Sequence, residues 1–371
     1  MVNGKLSSED YIKLLNKRGG GNIAIKAEDV NSEVDEWIPT GATWLDAIIC
    51  QGKLGGIPIG RVSELAGLPS AGKSYMAAQI AKNAQKMGIK VFYFDSEGAL
   101  SKKFLDDIGV DTSSSDALVS VKALSVESVL ANIEQIMSMG DEKKLFIWDS
   151  LAFTPAESDI EGDYNPQSSI AVKARILAKG MSKIVQPLQD SSCTLLVLNQ
   201  LKDNITSNVA EAMTTPYVTP GGKALNYAYS LRIWLTGRKG KATFVKDEND
   251  FVVGSEVSAK LQKSRFGTQN RICNFKIIWG DDSNLGIRDE ESIIGALKQR
   301  GIIKTSGAWH TVKYDDGTEE KFQASPFADQ LRKDPVKREK VLKLFYRETI
   351  EKFDKREGNA SEHYEESDDG E

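Results

Sequence analysis

The chain has 371 residues, 40% hydrophobic and 27% charged, with 48 Lys and Arg against 53 Asp and Glu for a net charge of −5. This is a globular composition, long enough for a full α/β domain with small appendages. No apolar run approaches bilayer length and no signal-peptide core opens the chain, so a cytoplasmic protein without membrane contact is expected. Three scattered cysteines and only two histidines, His310 and His363, argue against a disulfide framework, a zinc site or His-based nucleophilic catalysis.

Residues 5 to 37 read as a lead-in. A short amphipathic helix carries Tyr11, Leu14 and Leu15, ends at Gly19-Gly20-Gly21, and precedes a strand at 23–25. That is too little for a core of its own. From residue 38 to about 283, apolar strands alternate with helices, which predicts a mostly parallel sheet covered on both faces. The expected strands are 61–66, 90–95, 144–149, 194–199 and 229–235, with helices at 73–87, 126–139 and 170–189. Segments 255–263 and 271–279 then suit an antiparallel hairpin. Residues 284–354 suit a small α/β domain: a helix bearing Ile293, Ile294 and Leu297, a hairpin around Asp315-Asp316-Gly317, and a charged helix near 334–353. Residues 355–371 form an acidic tail whose last ten positions hold six acids and no Lys or Arg. Such a tail is expected to be a disordered, solubilising end; the alternative is that it competes with an anionic ligand for a basic surface.

Chemistry concentrates where the strands end. Gly67, Leu68, Pro69, Ser70, Ala71, Gly72, Lys73 and Ser74 form a complete phosphate-loop signature between a strand and a helix. Glycines let backbone N–H groups curl around a polyphosphate, and the helix N-terminus adds positive charge. Lys73 reaches terminal phosphates and the Ser74 hydroxyl ligates Mg²⁺. The chain is therefore expected to bind a nucleoside triphosphate. Asp149 suits the second metal-positioning acid, acting through water. Glu97 suits the general base on an attacking water, and Gln200 a hydrogen-bond sensor of the terminal phosphate. An ordinary polar strand end would explain any one of these alone; their joint occurrence after a phosphate loop carries the functional reading.

Specific stretches run through most of the chain: Ile38-Pro-Thr-Gly41 with Leu45-Asp46, the phosphate loop, Phe94-Asp-Ser-Glu-Gly-Ala-Leu100 and Trp148-Asp-Ser-Leu-Ala-Phe-Thr-Pro155 with Ile160-Glu-Gly162. Leu198-Asn-Gln200, Pro220-Gly-Gly-Lys-Ala-Leu225, Val253-Gly-Ser-Glu256 and Gly307-Ala-Trp309 continue the series. With these the chain resembles the RecA-type recombinases from about residue 10 to 350, and its altered positions place it nearest the phage UvsX-like members. The resemblance implies ATP and Mg²⁺ as cofactors, with Glu97 catalytic and Gln200 sensing the γ-phosphate. It implies Phe104 near the adenine and Trp279 stacked on that base. Lys263 and Arg265 would reach a neighbouring subunit's ATP, and the N-terminal segment would dock on the adjacent subunit of a helical homo-oligomer.

Two stretches, 156–168 and 201–222, lack the periodicity of packed elements; they match the family's DNA-binding loops, although a mobile active-site lid would fit the same pattern. Within and beside them Asn204, Met213, Gly221, Gly222 and Lys223 are implied DNA contacts. The first loop is acidic, whereas the helix after it carries Arg175, Lys179 and Lys183 as a cationic stripe, or a solvated face. Ser182, Ser258 and Thr236-Gly237 stand where the family keeps basic residues; Arg238, Lys239 and Lys241 are candidates to compensate. The implied partners are single-stranded DNA, double-stranded DNA, further copies of the chain, and single-strand-binding and mediator proteins, in bacterial or phage-infected cytoplasm. The expected function is a DNA-dependent ATPase recombinase promoting strand exchange. A ring-forming helicase motor and a non-catalytic ATP-gated scaffold are the alternatives.

Overall fold

The structure is a computed structural model that describes residues 7–19, 24–26, 33–114, 116–161, 170–206, 208, 213, 215–237, 243–267, 269–280 and 285–352. It divides into two units, residues 1–35 and 36–371.

In the first unit the helix Ser8–Gly19 starts on a reciprocal cap. The Ser7 hydroxyl accepts from the Asp10 amide while the Asp10 carboxylate accepts from the Ser7 amide and hydroxyl, satisfying donors that open a helix. Of the strand expected at 23–25, only Ala24 and Ile25 are described. Residue 23 lies outside the described residues, and Ala24 to Lys26 pair with no strand. Instead the Asn16 side chain accepts from the Ala24 amide at 2.7 Å and donates to its carbonyl at 2.9 Å. A side-chain amide thus supplies the two bonds that a neighbouring strand would make, because a lone extended segment has no ladder to join. Tyr11, Leu14 and Leu15 are exposed.

The second unit is built on a sheet of ten strands among the described residues. Six of them are parallel, in the order Leu231–Gly237, Val62–Gly67, Thr194–Gln200, Lys144–Asp149, Lys90–Asp95 and Leu118–Lys122. Their apolar runs reflect burial on both faces. In the Lys90–Asp95 strand, Val91 and Tyr93 enter one core with the helix Lys73–Lys86, whereas Phe92 and Phe94 enter the other, with Val126–Met137 and Ile170–Asp190. That alternation is the period-two side-chain geometry of a strand. Elements absent from the sequence reading include the edge strand Leu118–Lys122 and the helices Thr43–Ile49, Lys102–Ile108 and Lys223–Ala228. The expected hairpin forms as Val252–Ser264 against Ile272–Ile278 and extends the sheet antiparallel beyond Leu231–Gly237.

After Gly286, the helices Asp289–Gln299, Ala324–Lys333 and Pro335–Tyr346 accompany a three-stranded sheet of Lys304–Ser306, Trp309–Lys313 and Glu319–Phe322. Their buried side chains, Ile293, Leu297, Phe327, Leu344 and Phe345, are continuous with Trp44, Leu45 and Phe275 of the main unit. The three cysteines are free and buried. Among the described residues no helix is long and apolar enough to cross a membrane.

Candidate nucleotide and DNA site

All six parallel strands end on one edge, and that edge gathers the polar residues, as open α/β sheets do. The strand Val62–Gly67 is wholly buried and turns through Leu68–Ala71 into the helix that starts at Lys73. Gly72 caps this helix at φ +85°, and a Cβ there would stand 2.6 Å from Ile277 Cδ1. Only glycine combines that torsion with that approach. A Cβ on Gly67 would meet the Leu235 carbonyl at 3.0 Å. Ser70 also takes a positive φ, 58°. The loop's curl is thus fixed by backbone torsions and by packing against two neighbouring strands.

The Lys73 ammonium is folded onto the loop, donating to the carbonyls of Gly67 at 3.2 Å and Leu68 at 3.1 Å. Burial lowers its pKa, opposed by the nearby carboxylates of Asp149 and Glu97. Those two acids therefore lie in electrostatic reach of the lysine, although Glu97 is 24 positions and Asp149 76 positions along the chain. Asp149 sits opposite Asp95 in the parallel ladder. Burial raises its carboxyl pKa and Glu97 pushes the same way, while hydrogen bonds from Tyr93 and Ser74 oppose the shift. The Tyr93 hydroxyl donates to Asp149 Oδ2 at 2.7 Å. The Ser150 hydroxyl donates to Glu97 Oε1 at 2.8 Å. Asp95 accepts from the amides of Glu97, Gly98 and Leu100, so it shapes the turn that presents Glu97. Gln200 stands directly beside Gly67 in the ladder.

The adjacency of the Ser74 hydroxyl and the Asp149 carboxylate fits Mg²⁺, which takes one or two protein oxygens and fills its octahedron with phosphate and water. Among the described residues no cluster of three or more His, Cys, Asp or Glu suits a metal held by protein alone. The Gly67–Ser74 turn, with Lys73 inside it, fits a polyphosphate.

The aromatic candidates approach the same helix start through different neighbours. Phe104 packs edge-on to Tyr75, ring centroids 6.0 Å apart. Trp279, two residues beyond the Ile277 that touches Gly72, is 44% exposed.

Lys263 and Arg265 lie elsewhere. Lys263 pairs with Arg232, which pairs with Glu64, three residues before Gly67. At roughly 3.3 Å per residue this sets them about 10 Å back along the strands from the phosphate loop, towards the opposite edge. Lys263 donates to the Asn226 carbonyl at 2.6 Å and Arg265 to that of Tyr227 at 2.9 Å. Both cations thus rest on the C-terminal carbonyls of the helix Lys223–Ala228, a favourable position for positive charge.

The helix Ile170–Asp190 presents Arg175, Lys179 and Lys183 exposed, with Lys183 3.5 Å from Glu134. Of the first loop, 157–161 form a short helix and 162–169 lie outside the described residues. The second loop is not structureless at its base: Lys202–Asp203 pairs antiparallel with Tyr217–Val218. Asn204 belongs to that base, its amide bonded to the Thr215 carbonyl at 3.0 Å. Met213 is exposed, Gly221 and Gly222 both have positive φ, and Lys223 begins the next helix with its side chain undescribed. Residues 238–242, with Arg238, Lys239 and Lys241, and the acidic tail also lie outside the described residues.

The sequence reading missed Tyr93, which holds Asp149, and Lys173, whose ammonium donates to the carbonyls of Leu151, Ala152 and Thr154; Ser150, which reads only as a polar strand end beside Asp149, holds Glu97. Tyr93 had a signal: it lies on the same strand face as Asp95, two residues before the strand's end. Lys173 had none, because its partners are backbone oxygens some 20 residues away.

Comparison with known proteins gives the family. The RecA N-terminal domain family matches residues 8–284. Protein RecA of Saccharopolyspora erythraea is 30% identical over 321 residues, covering 86% of each chain. Protein RecA of an Arthrobacter species is 32% identical over 80% of this chain and 78% of its own, and that of Corynebacterium efficiens is 30% identical over 91% and 81%. With a phosphate loop, a paired Ser74 and Asp149, and a flanking Glu97 on a mostly parallel sheet, the chain belongs to the RecA family of recombinases.

Proposed function

We propose that the chain hydrolyses ATP in a single-stranded-DNA-stimulated reaction, assembles as a helical filament on that strand, and promotes homologous pairing and strand exchange in recombination and repair. The observation that carries this reading is the convergence of Lys73, Ser74, Asp149, Glu97 and Gln200 on one sheet edge, with the 201–222 loop leaving directly from Gln200. In this reading the loop backbone and Lys73 bind the triphosphate, and Phe104 and Trp279 hold the base. Ser74 and, through water, Asp149 hold Mg²⁺, which when bound neutralises phosphate charge. Glu97 takes the proton of the attacking water, and Gln200 reports the terminal phosphate to the loop.

Lys263 and Arg265 sit too far back to serve their own phosphate loop, which supports a role on a neighbour's, where they offset charge developing in phosphoryl transfer. Nucleotide between subunits then stabilises the assembly, and hydrolysis weakens it. Residues 1–37 act as the docking segment, 38–283 as the ATPase core, 284–354 as a small accessory domain and 355–371 as the acidic tail. Arg175, Lys179, Lys183, Asn204, Met213, Gly221, Gly222 and Lys223 line the DNA path, with duplex DNA as the second nucleic-acid partner.

Electron microscopy with single-stranded DNA and a slowly hydrolysed ATP analogue tests the reading. Nucleotide-dependent filaments are expected; rings or monomers on saturated DNA overturn it.

A further inference from the structure

Beneath the phosphate loop, Glu64 is fully buried, 0% exposed, in the strand that leads into it. Its Oε2 accepts from Arg232 Nε at 2.6 Å, and its Oε1 accepts from Asn199 Nδ2 at 3.0 Å. Arg232, 7% exposed, donates through Nη2 to the Thr219 hydroxyl at 2.9 Å and packs its guanidinium 5.7 Å from the ring centres of Tyr229 and Trp234. The Asn199 amide is fully used: Nδ2 also donates to the Pro220 carbonyl at 3.0 Å, and Oδ1 accepts from the Gln200 amide at 3.0 Å.

Burying an ion pair costs more than an apolar pair of the same volume would, so fold stability does not account for it. What it does account for is connectivity. Three strands and one loop end meet on these side chains: the phosphate-loop strand through Glu64, the Gln200 strand through Asn199, the next strand through Arg232, and the return limb of the 201–222 loop through Thr219 and Pro220.

We propose that Glu64, Arg232 and Asn199 form a buried clasp of positioning residues that fixes the return limb of the second loop against Gln200, so that DNA on the loop and the placement of Gln200 are coupled. The inference rests on the proposed DNA-stimulated ATPase and adds the residues that transmit the stimulation. Geometry gives the direction of the effect. With the clasp intact, Thr219–Pro220 and Gln200 move as one body. Without it the loop can order on DNA while Gln200 keeps its own position.

The test measures ATP hydrolysis by the full chain over a range of oligonucleotide concentrations, beginning with the parent protein. An unstimulated parent overturns the proposed function and the clasp with it. In a stimulated parent, the paired change Glu64→Met with Arg232→Leu removes both charges together, so neither is left buried alone. The expected result is an unchanged basal rate, an unchanged concentration for half-stimulation, and at least a tenfold lower rate at saturating DNA. Should the paired variant fail to fold, Thr219→Val decides, since it leaves the ion pair in place. Thr219→Val is expected to lower the saturating rate and Thr219→Ser to restore it. Full stimulation in the folded paired variant, or in Thr219→Val, overturns the clasp alone.

Discussion

The two charged regions of the sheet differ in how complete each is within a single chain. At the carboxyl edge, Lys73, Ser74, Asp149 and Glu97 already lie together, fastened by Tyr93, Ser150 and Asp95. Towards the other edge, Lys263 and Arg265 donate to backbone carbonyls of the same chain, those of Asn226 and Tyr227. The first region is a site assembled by folding, because parallel strands bring their ends together whatever their order in the sequence. The second is a pair of cations set about three residues back from the phosphate loop along the strands. In the function proposed above the second region works only on assembly, and the sharpest experiments are those that separate the two.

Lys73→Ala should have the largest effect: nucleotide-dependent assembly is lost altogether, as read by light scattering or microscopy with and without ATP. Persistence of ATP-dependent filaments would break the picture of a pre-assembled first region. Glu97→Ala comes next. Assembly should survive while turnover falls about 10²–10⁴-fold, the usual worth of a general base, in a steady-state phosphate-release assay. Changing Lys263 and Arg265 together to Ala should lower turnover about 10²–10³-fold, as removal of transition-state charge stabilisation does elsewhere. This loss carries a signature that the others lack. Mixing that variant with Lys73→Ala should restore part of the rate, because one supplies the loop and the other the cations. Absence of recovery in co-assembled filaments would place all the chemistry in one subunit.

The smallest expected effect concerns stability alone. Asp46, buried near Asp289 and hydrogen-bonded by Thr40, has its carboxyl pushed up to about 8, chiefly by burial. A raised folded-state pKa contributes stability that is present at low pH and lost as pH climbs from the ordinary carboxylate range near 4 towards about 8. Asp46→Asn should flatten that decline, visible as a Tm difference of roughly 2–4 °C between acid and neutral buffers. An unchanged slope would show that folding does not shift the Asp46 pKa.

How much of this was legible in the sequence depended on whether partners were local. The phosphate loop, the parallel strands and the hairpin follow from contiguous patterns; Asp149 is the first polar group after an apolar run, and Glu97 and Gln200 follow within three residues of one. The edge strand Leu118–Lys122 escaped because it is only partly buried, so its pattern is weak. The strand expected at 23–25 lies partly outside the described residues, and of it Ala24 is held by the Asn16 side chain, a contact that composition does not announce. Glu64 reads as one charge in an apolar strand, and nothing near it reveals that Arg232, 168 residues away, lies against it. Long-range ion pairs leave no periodic mark.

The separation of Lys263 and Arg265 from their own phosphate loop has a consequence for short assemblies. If each catalytic centre is shared, a row of subunits always possesses one centre fewer than its members, and the terminal loop stays unserved. Specific activity per subunit should then climb with row length and level off. The last subunit would hold its nucleotide longest, while the shared interfaces, where turnover occurs, would weaken first.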